Sequence, residues 1–198
     1  MRHFRVNEIF YSLQGEGHNT GRAAVFVRFA GCNLRCPFCD TDFSDYREMS
    51  ADEIIREISS FSSRFVVLTG GEPSLQVTAP FVDRLHEAGF EVAIETNGTR
   101  PLPANIDWVT VSPKGSQLSL AEQQRLPDEI KIIFDGTTNP EEFLSFCQKG
   151  EETILYLQPC DVGDPLRNST ILEACVEYVK LHPQWRLSLQ THKLAGFK

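Results

Sequence analysis

Seven short runs rich in Val, Ile and aromatic residues recur along this chain, with helical patterns between them. They are AAVFVRFA (Ala23–Ala30), RFVVLT (Arg64–Thr69), EVAIET (Glu91–Thr96), DWVTVS (Asp107–Ser112), EIKIIFD (Glu129–Asp135), TILYLQP (Thr153–Pro159) and WRLSLQ (Trp185–Gln190). Several lack the polar alternation of a half-exposed strand, so they read as parallel strands buried on both faces. Three of the intervening helices have legible signals. Ser50 with Glu53 fits a capping box before EIIREISSF. Asn139 and Pro140 fit an N-cap and a first helical position before EEFLSFCQ. STILEACVEYVKLH spaces Ile171, Leu172, Cys175 and Val179 along one helical face. The alternation predicts a parallel α/β fold. A closed eight-fold barrel takes about 250 residues, and this chain has 198. The expected class is therefore an incomplete, splayed parallel β/α barrel of the TIM-barrel type, with about six core strands and one domain over residues 1–198. Function in such a sheet gathers at the C-terminal ends of the strands.

Composition narrows the function classes. With 41% hydrophobic and 23% charged residues the chain is globular, and no apolar run reaches membrane-spanning length. The opening MRHFRVNEIFYSLQGEG has neither a continuous apolar core nor a small-residue cleavage site, so it does not read as a secretory signal. The expected location is cytoplasmic, where clustered cysteines are metal ligands or redox groups rather than disulfides. A net charge of −8 with no basic stripe argues against nucleic-acid binding. A small anionic substrate needs only one or two local cations.

The stretch GCNLRCPFCDT (Gly31–Thr41) holds Cys32, Cys36 and Cys39. These three thiols sit on one loop directly after a strand, and their spacing lets a short loop wrap a cubane while leaving one iron without a cysteine. Zinc is the competing reading, with Cys36 and Cys39 as a C-x2-C pair and His18 or a distant histidine completing a tetrahedron. LTGGEP (Leu68–Pro73) follows the second strand, and its two glycines allow close backbone approach while Glu72 can accept from a cationic amine. ETNG (Glu95–Gly98), SPK (Ser112–Lys114) and LQP (Leu157–Pro159) end later strands. Each alone is an ordinary turn, but together they fall on one predicted face. Cys147 and Cys175 lie in helical patterns and read as core thiols, and Cys160 lies near the strand-end face. His3, His86 and His182 read as structural, with only a weak case for His18.

The three-cysteine loop, the aromatic Phe38 beside its last cysteine and the Gly-Gly-Glu-Pro turn together resemble the radical S-adenosylmethionine (SAM) enzymes. The resemblance implies that residues 1–198 are one radical SAM core domain. It implies a [4Fe–4S] cluster on Cys32, Cys36 and Cys39, with SAM completing the cluster through its amino and carboxylate groups. Phe38, Cys39 and Asp40 would lie near the cofactor, Gly70, Gly71 and Glu72 at its ammonium, and Gly98, Ser112, Pro113, Lys114 and Gln158 around the adenosyl part. NEIFYSLQGEG (Asn7–Gly17) is more particular. With AVFVRFAGCNLRCPFCDT, TGGEP, ETNG, SPK, LQP and LQTHK it resembles the 7-carboxy-7-deazaguanine synthase family from Asn7 to Lys193. That family makes 7-carboxy-7-deazaguanine from 6-carboxy-5,6,7,8-tetrahydropterin, a ring contraction with loss of ammonia on the route to queuosine and other 7-deazapurines. The resemblance implies a Mg²⁺ ligand at Thr41 and a carbon–nitrogen lyase that forms a homodimer and takes electrons from a flavodoxin or ferredoxin.

The residues suit a pterin. Gln14 offers a donor and an acceptor, Glu16 accepts from an exocyclic amine, and Arg28 can fork onto a carboxylate. The resemblance implies that Leu13, Gly15, Thr96, His192 and Lys198 complete the substrate set. Family members often end near a proline or a Gly-x-Arg-like tail, whereas this chain reads KLAGFK. Two other classes compete: an activase of the same superfamily acting on a partner's glycine, and a non-catalytic zinc module.

Overall fold

The computed structural model describes residues 3–36, 39, 45–114, 126–147 and 153–198. In chain order the elements are β1 (His3–Leu13), β2 (Ala23–Phe29), β3 (Arg47–Ser50), α1 (Ala51–Ile58), β4 (Phe65–Gly70), a 3₁₀ turn at Pro73–Leu75, and α2 (Ala79–Glu87). There follow β5 (Glu91–Thr96), β6 (Trp108–Val111), β7 (Glu129–Phe134), a 3₁₀ helix at Pro140–Cys147, β8 (Ile154–Pro159), α3 (Pro165–Leu181), β9 (Trp185–Leu187) and α4 (Thr191–Ala195). Each of the seven apolar runs contains a strand.

One sheet takes all nine strands in the order β3-β1-β2-β4-β5-β6-β7-β8-β9. From β2 onward every pair is parallel, while β1 runs antiparallel to both β2 and β3. The order ends at β3 and β9 without closing, so the barrel is splayed. The fold class is the one expected, with β9 a seventh parallel strand of three residues.

Side-chain alternation divides the interior. One face of the sheet sends Val25, Val27, Val66, Leu68, Val92 and Ile94 into a core shared with Ile54 and Ile58 of α1 and with Phe81, Val82 and Leu85 of α2. Ile130, Ile132, Leu155 and Leu157 pack against Ile171 and Cys175 of α3. The opposite face points into the barrel, where Ala24, Phe26, Phe65, Val67 and Ala93 pack with Phe10 and Trp108. This apolar plug closes the lower barrel to water and forms the floor on which polar strand ends stand.

The helix signals meet mixed outcomes. The capping box is complete, with Glu53 N donating to Ser50 Oγ at 3.3 Å and Ser50 N donating to Glu53 Oε2 at 2.7 Å. Asn139 caps as expected, accepting from Glu141 N at 3.2 Å, but the segment forms a 3₁₀ helix rather than an α-helix. Its adjacent Phe143 and Leu144 pack on the core without an i,i+4 stripe that would reward α-helical spacing. In α3, Ile171 and Cys175 are buried, whereas Leu172 faces outward. The helix begins earlier than the pattern suggested, because the Asp164 carboxylate accepts from Leu166 N at 2.9 Å and Arg167 N at 3.1 Å.

Candidate active site

A cavity of about 1090 Å³ opens at the C-terminal ends of the parallel strands. Arg28 and the cysteine loop reach it from β2, Thr69 and the two glycines from β4, and Glu95 and Thr96 from β5. Ser112 and Lys114 follow β6, Lys131 comes from β7, and Gln158 with Cys160 from β8. The cavity thus opens on the face where the strand order predicts a site.

Cys32, Cys36 and Cys39 all line this cavity. The loop is pinned by its neighbours. Gly71 N donates to Phe29 O at 3.0 Å and Glu72 N to Gly31 O at 2.9 Å. Asn97 Nδ2 donates to Asn33 Oδ1 at 3.0 Å, and Asn33 Nδ2 to Thr99 Oγ1 at 2.8 Å. The glycines are explained by these contacts. A Cβ on Gly71 would stand 2.1 Å from Gly31 O, and one on Gly70, whose φ is +124°, would stand 2.2 Å from Phe29 O. The close approach is thus to the cysteine loop's own backbone. Gly71→Ala is expected to displace that loop and lower stability by about 1–3 kcal/mol. Urea unfolding with an iron-loading assay would check it, and unchanged values in both would show that the contact yields freely.

The thiols fit an iron–sulfur cluster by their chemistry. Burial raises the Cys32 thiol pKa; the Leu34 N–H opposes, while Glu72 and the other two thiols push it further up. Its thiolate therefore calls for a nearby cation, which a metal cluster supplies. The donor set is all soft sulfur. His18 does not complete a tetrahedron. Its ring stacks on Trp108 at 4.5 Å, and its backbone N–H donates to Glu129 Oε2 at 2.9 Å.

Most predicted site residues meet at this cavity. Leu13, Gln14, Gly15, Glu16, Arg28, Thr96, His192 and Lys198 line it, as do Gly70, Gly71, Ser112, Lys114 and Gln158. Three are elsewhere. Glu72 is fully buried behind the wall, where it accepts from Ser74 N at 2.9 Å, Thr96 Oγ1 at 2.7 Å and Asn97 N at 2.8 Å. As N-cap of the Pro73–Leu75 turn, its carboxylate ties the β4 and β5 loops together instead of facing a ligand. Gly98, which donates to Thr96 Oγ1 at 3.2 Å, and Pro113 are likewise off the wall. Phe38, Asp40 and Thr41 lie outside the described residues.

The wall made by Leu13–Gly17 is held by the C-terminal segment. Thr191 donates to Gly15 O from its N–H at 3.0 Å and from its hydroxyl at 2.9 Å, and Gly17 N donates to Ser188 Oγ at 3.0 Å. A Cβ on Gly15 would stand 2.4 Å from His192 Nδ1, so glycine here lets the His192 ring lie against the wall.

Sequence reasoning missed a charged layer on the floor. Lys131 is buried and pairs with Glu16, with Glu95 Oε2 at 3.4 Å. Gln190 Nε2 donates to Glu16 at 2.9 Å, and Gln14 Nε2 to Glu95 at 2.7 Å. Burial alone would lower the Lys131 pKa, yet Glu16 and Glu95 outweigh it and hold the pKa above its ordinary value. Burial likewise works to raise Glu16, and Lys131 reverses this, holding the carboxyl below its usual range. Glu129, beside Lys131 on β7, is pushed up to about 7, chiefly by burial. Burial, followed by Lys131, lowers the Lys114 pKa, and its ammonium donates to Ser112 Oγ at 2.7 Å. The signal was present in EIKIIF, where two charged residues alternate inside an otherwise apolar strand. At the opposite wall, Glu8 joins Arg28 and Lys198.

The cavity therefore has a carboxylate-and-amide side that suits a face of N–H donors, and a cationic side that suits a carboxylate. Comparison with known proteins agrees with this chemistry. Residues 26–149 match the model of the radical SAM superfamily. A 7-carboxy-7-deazaguanine synthase of Bacteroides thetaiotaomicron is 51% identical, over 98% of each chain. Another from Haemophilus influenzae is 38% identical, over 98% of this chain and 94% of the relative. The crystal structure of QueE from Escherichia coli superposes with a TM-score of 0.81 at 30% identity, covering 95% of this chain and 94% of that one.

Proposed function

The chain belongs to the 7-carboxy-7-deazaguanine synthase family of the radical SAM superfamily, and on that premise we propose that it contracts 6-carboxy-5,6,7,8-tetrahydropterin to 7-carboxy-7-deazaguanine with loss of ammonia. The observation that carries this reading is the opposed polarity of one cavity, with Glu16, Glu95 and Gln14 on one side and Arg28 and Lys198 on the other. A pterin with one carboxylate has the matching ends.

When bound, a [4Fe–4S] cluster with SAM supplies a carbon-centred radical able to take hydrogen from an unactivated position. Cys32, Cys36 and Cys39 would hold the cluster, the backbone at Gly70 and Gly71 the methionine end of SAM, and Ser112, Lys114 and Gln158 its adenosyl part. Phe38, Asp40 and Gly98 belong to the same expected set, and Thr41 is assigned to Mg²⁺. Gln14, Glu16 and Glu95 orient the pyrimidine edge through hydrogen bonds, and Arg28 fixes the carboxylate. His192 and Thr96 line the space between. Below them the apolar plug and the Lys131 layer exclude water from the reacting atoms. The Leu13–Gly17 wall, locked to Thr191, favours a small ligand over a partner protein's glycine.

The further expectations are a carbon–nitrogen lyase in queuosine and related 7-deazapurine biosynthesis, hence tRNA modification, acting in the cytoplasm as a homodimer with flavodoxin or ferredoxin as electron donor. Residues 1–198 are taken as one radical SAM core domain. Among the described residues no helix is long and apolar enough to cross a membrane. The test is anaerobic turnover of cluster-loaded protein with SAM, reductant and the tetrahydropterin, with and without Mg²⁺, read by mass spectrometry. 7-Carboxy-7-deazaguanine and 5′-deoxyadenosine are expected together, with Mg²⁺ increasing the yield. 5′-Deoxyadenosine alone would discard this substrate, and neither product would discard the activity.

A further inference from the structure

The lumen face of β1 carries a carboxylate where the strand's own pattern would not put one. Phe4 and Val6 point into the outer core. Strict alternation would send Glu8 after them, into apolar surroundings. The register with β2 instead shifts between Val6 and Glu8. Beyond that bulge Ile9 takes the outer side and Phe10 joins the barrel plug. Glu8 now stands opposite Arg28 across the strand pair and lines the cavity. Bulges near active sites re-aim side chains in this way.

The re-aimed carboxylate gathers two cations from distant parts of the chain. Arg28 Nε donates to Glu8 Oε1 at 2.9 Å, and Lys198 Nζ donates to Glu8 Oε2. Both cations lie over the same Phe10 ring, the guanidinium at 5.6 Å and the ammonium at 4.6 Å from its centroid. Ser12, two residues after Phe10 on β1, donates from its hydroxyl to the main-chain oxygen of Lys198 at 2.6 Å, which fixes where that ammonium arrives. Burial works to raise the Glu8 carboxyl, but Lys198 and Arg28 hold it below its ordinary value. Two cations therefore meet on one side-chain carboxylate at this wall, facing open cavity.

We propose that Glu8 is an internal stand-in for the carboxylate of an anionic ligand: it assembles Arg28 and Lys198 into a two-cation clamp and competes with the ligand for it. This deepens the pterin reading and rests on it for the ligand's identity. Glu8 thereby sets selectivity for a carboxylated over an uncarboxylated heterocycle, and Lys198 is a specificity-determining residue through its side chain.

The test compares 6-carboxypterin with pterin, which differ by the carboxylate alone, by equilibrium dialysis against cluster-loaded, unreduced protein. Wild type is expected to prefer 6-carboxypterin by about tenfold. Lys198→Met is expected to cut that ratio about fivefold, and the isosteric Glu8→Gln to raise it about fivefold, by removing the competitor. A ratio that falls in Glu8→Gln would make Glu8 a mere support for Arg28 and overturn the proposal, as would ratios unchanged in both variants. A readout independent of pterins is the rate of Lys198 acetylation by acetic anhydride, located by mass spectrometry. Pairing holds the ammonium against Glu8, so Glu8→Gln should speed the reaction several-fold, and an equal rate would overturn the clamp. Should wild type bind neither pterin, the substrate reading fails while the acetylation result still decides the clamp.

Discussion

Cys36→Ala is expected to leave a protein that folds, carries less than a full complement of iron and sulfide, and makes product at least about a hundredfold more slowly, beyond the range of outer-shell changes around a metal. Cys36 lies between the other two thiols on a loop whose start is fixed by Gly31, Asn33 and their partners just after β4 and β5. Losing it leaves Cys32 and Cys39 as the only loop thiols, and two thiolates do not hold a four-iron cube in place. Folding should survive because Cys36 contributes nothing to the apolar cores. The informative control is Cys160→Ser. Cys160 also lines the cavity, but its thiol donates to the Asp161 carbonyl at 3.9 Å on the far strand end. Its removal should leave iron and sulfide content intact. Cluster content and reductive cleavage of SAM, measured together, decide the matter. A Cys36→Ala protein with a normal cluster and normal 5′-deoxyadenosine yield would remove the loop from the site.

The contrast between what was legible in the sequence and what was not follows from how each feature is encoded. The parallel strands announced themselves because both faces of each are covered, so Val66, Val67 and Leu68 are all buried and the run is apolar without a break. β1 escaped notice for the opposite reason. Its bulge exchanges the two faces midway, so HFRVNEIFYSL shows neither a steady alternation nor a continuous apolar run. β3 has four residues and buries only Met49, too little for any periodicity. The cavity wall was readable wherever a local motif ended a strand, as at Thr96, Ser112 and Gln158. Glu8 and Lys131 carry no such mark, and the motif around Gln190 pointed to His192 instead. Each matters through partners far along the chain, since Lys131 meets Glu16 across 115 positions and Gln190 meets the same carboxylate across 174. Spacing rules read neighbours, and these contacts exist only once the sheet has assembled. The same limit explains Glu72. Its motif position predicted a ligand contact, but the turn it caps directs the carboxylate to Thr96 and Asn97.

Replacing Lys131 with Met should cost about 3–5 kcal/mol near neutral pH, because removing one partner strands buried opposite charge. The deficit should also grow as pH rises. In the wild type, Glu16 titrates below its ordinary 4.5, so the stability it contributes is present above that value and lost as pH falls through the folded one. Without Lys131, only the Gln190 hydrogen bond and His192 offset burial and the neighbouring Glu95 and Glu129 at Glu16, and its folded pKa is expected to rise above that of the unfolded chain. The folded state then holds protons that the unfolded chain has released, so stability is greatest in acid and is lost as pH rises. Glu129 adds to the same trend, since it is already held up to about 7 with Lys131 opposing the rise. Urea unfolding of both proteins at about pH 5 and about pH 8 should therefore show the larger gap at the higher pH. His18 and Gly17, which lie against Glu129, should loosen with it, so pterin binding should weaken even where the protein remains folded. Equal deficits at the two pH values would mean that water or another cation reaches the three carboxylates, and that Lys131 fills space on the cavity floor without setting its charge.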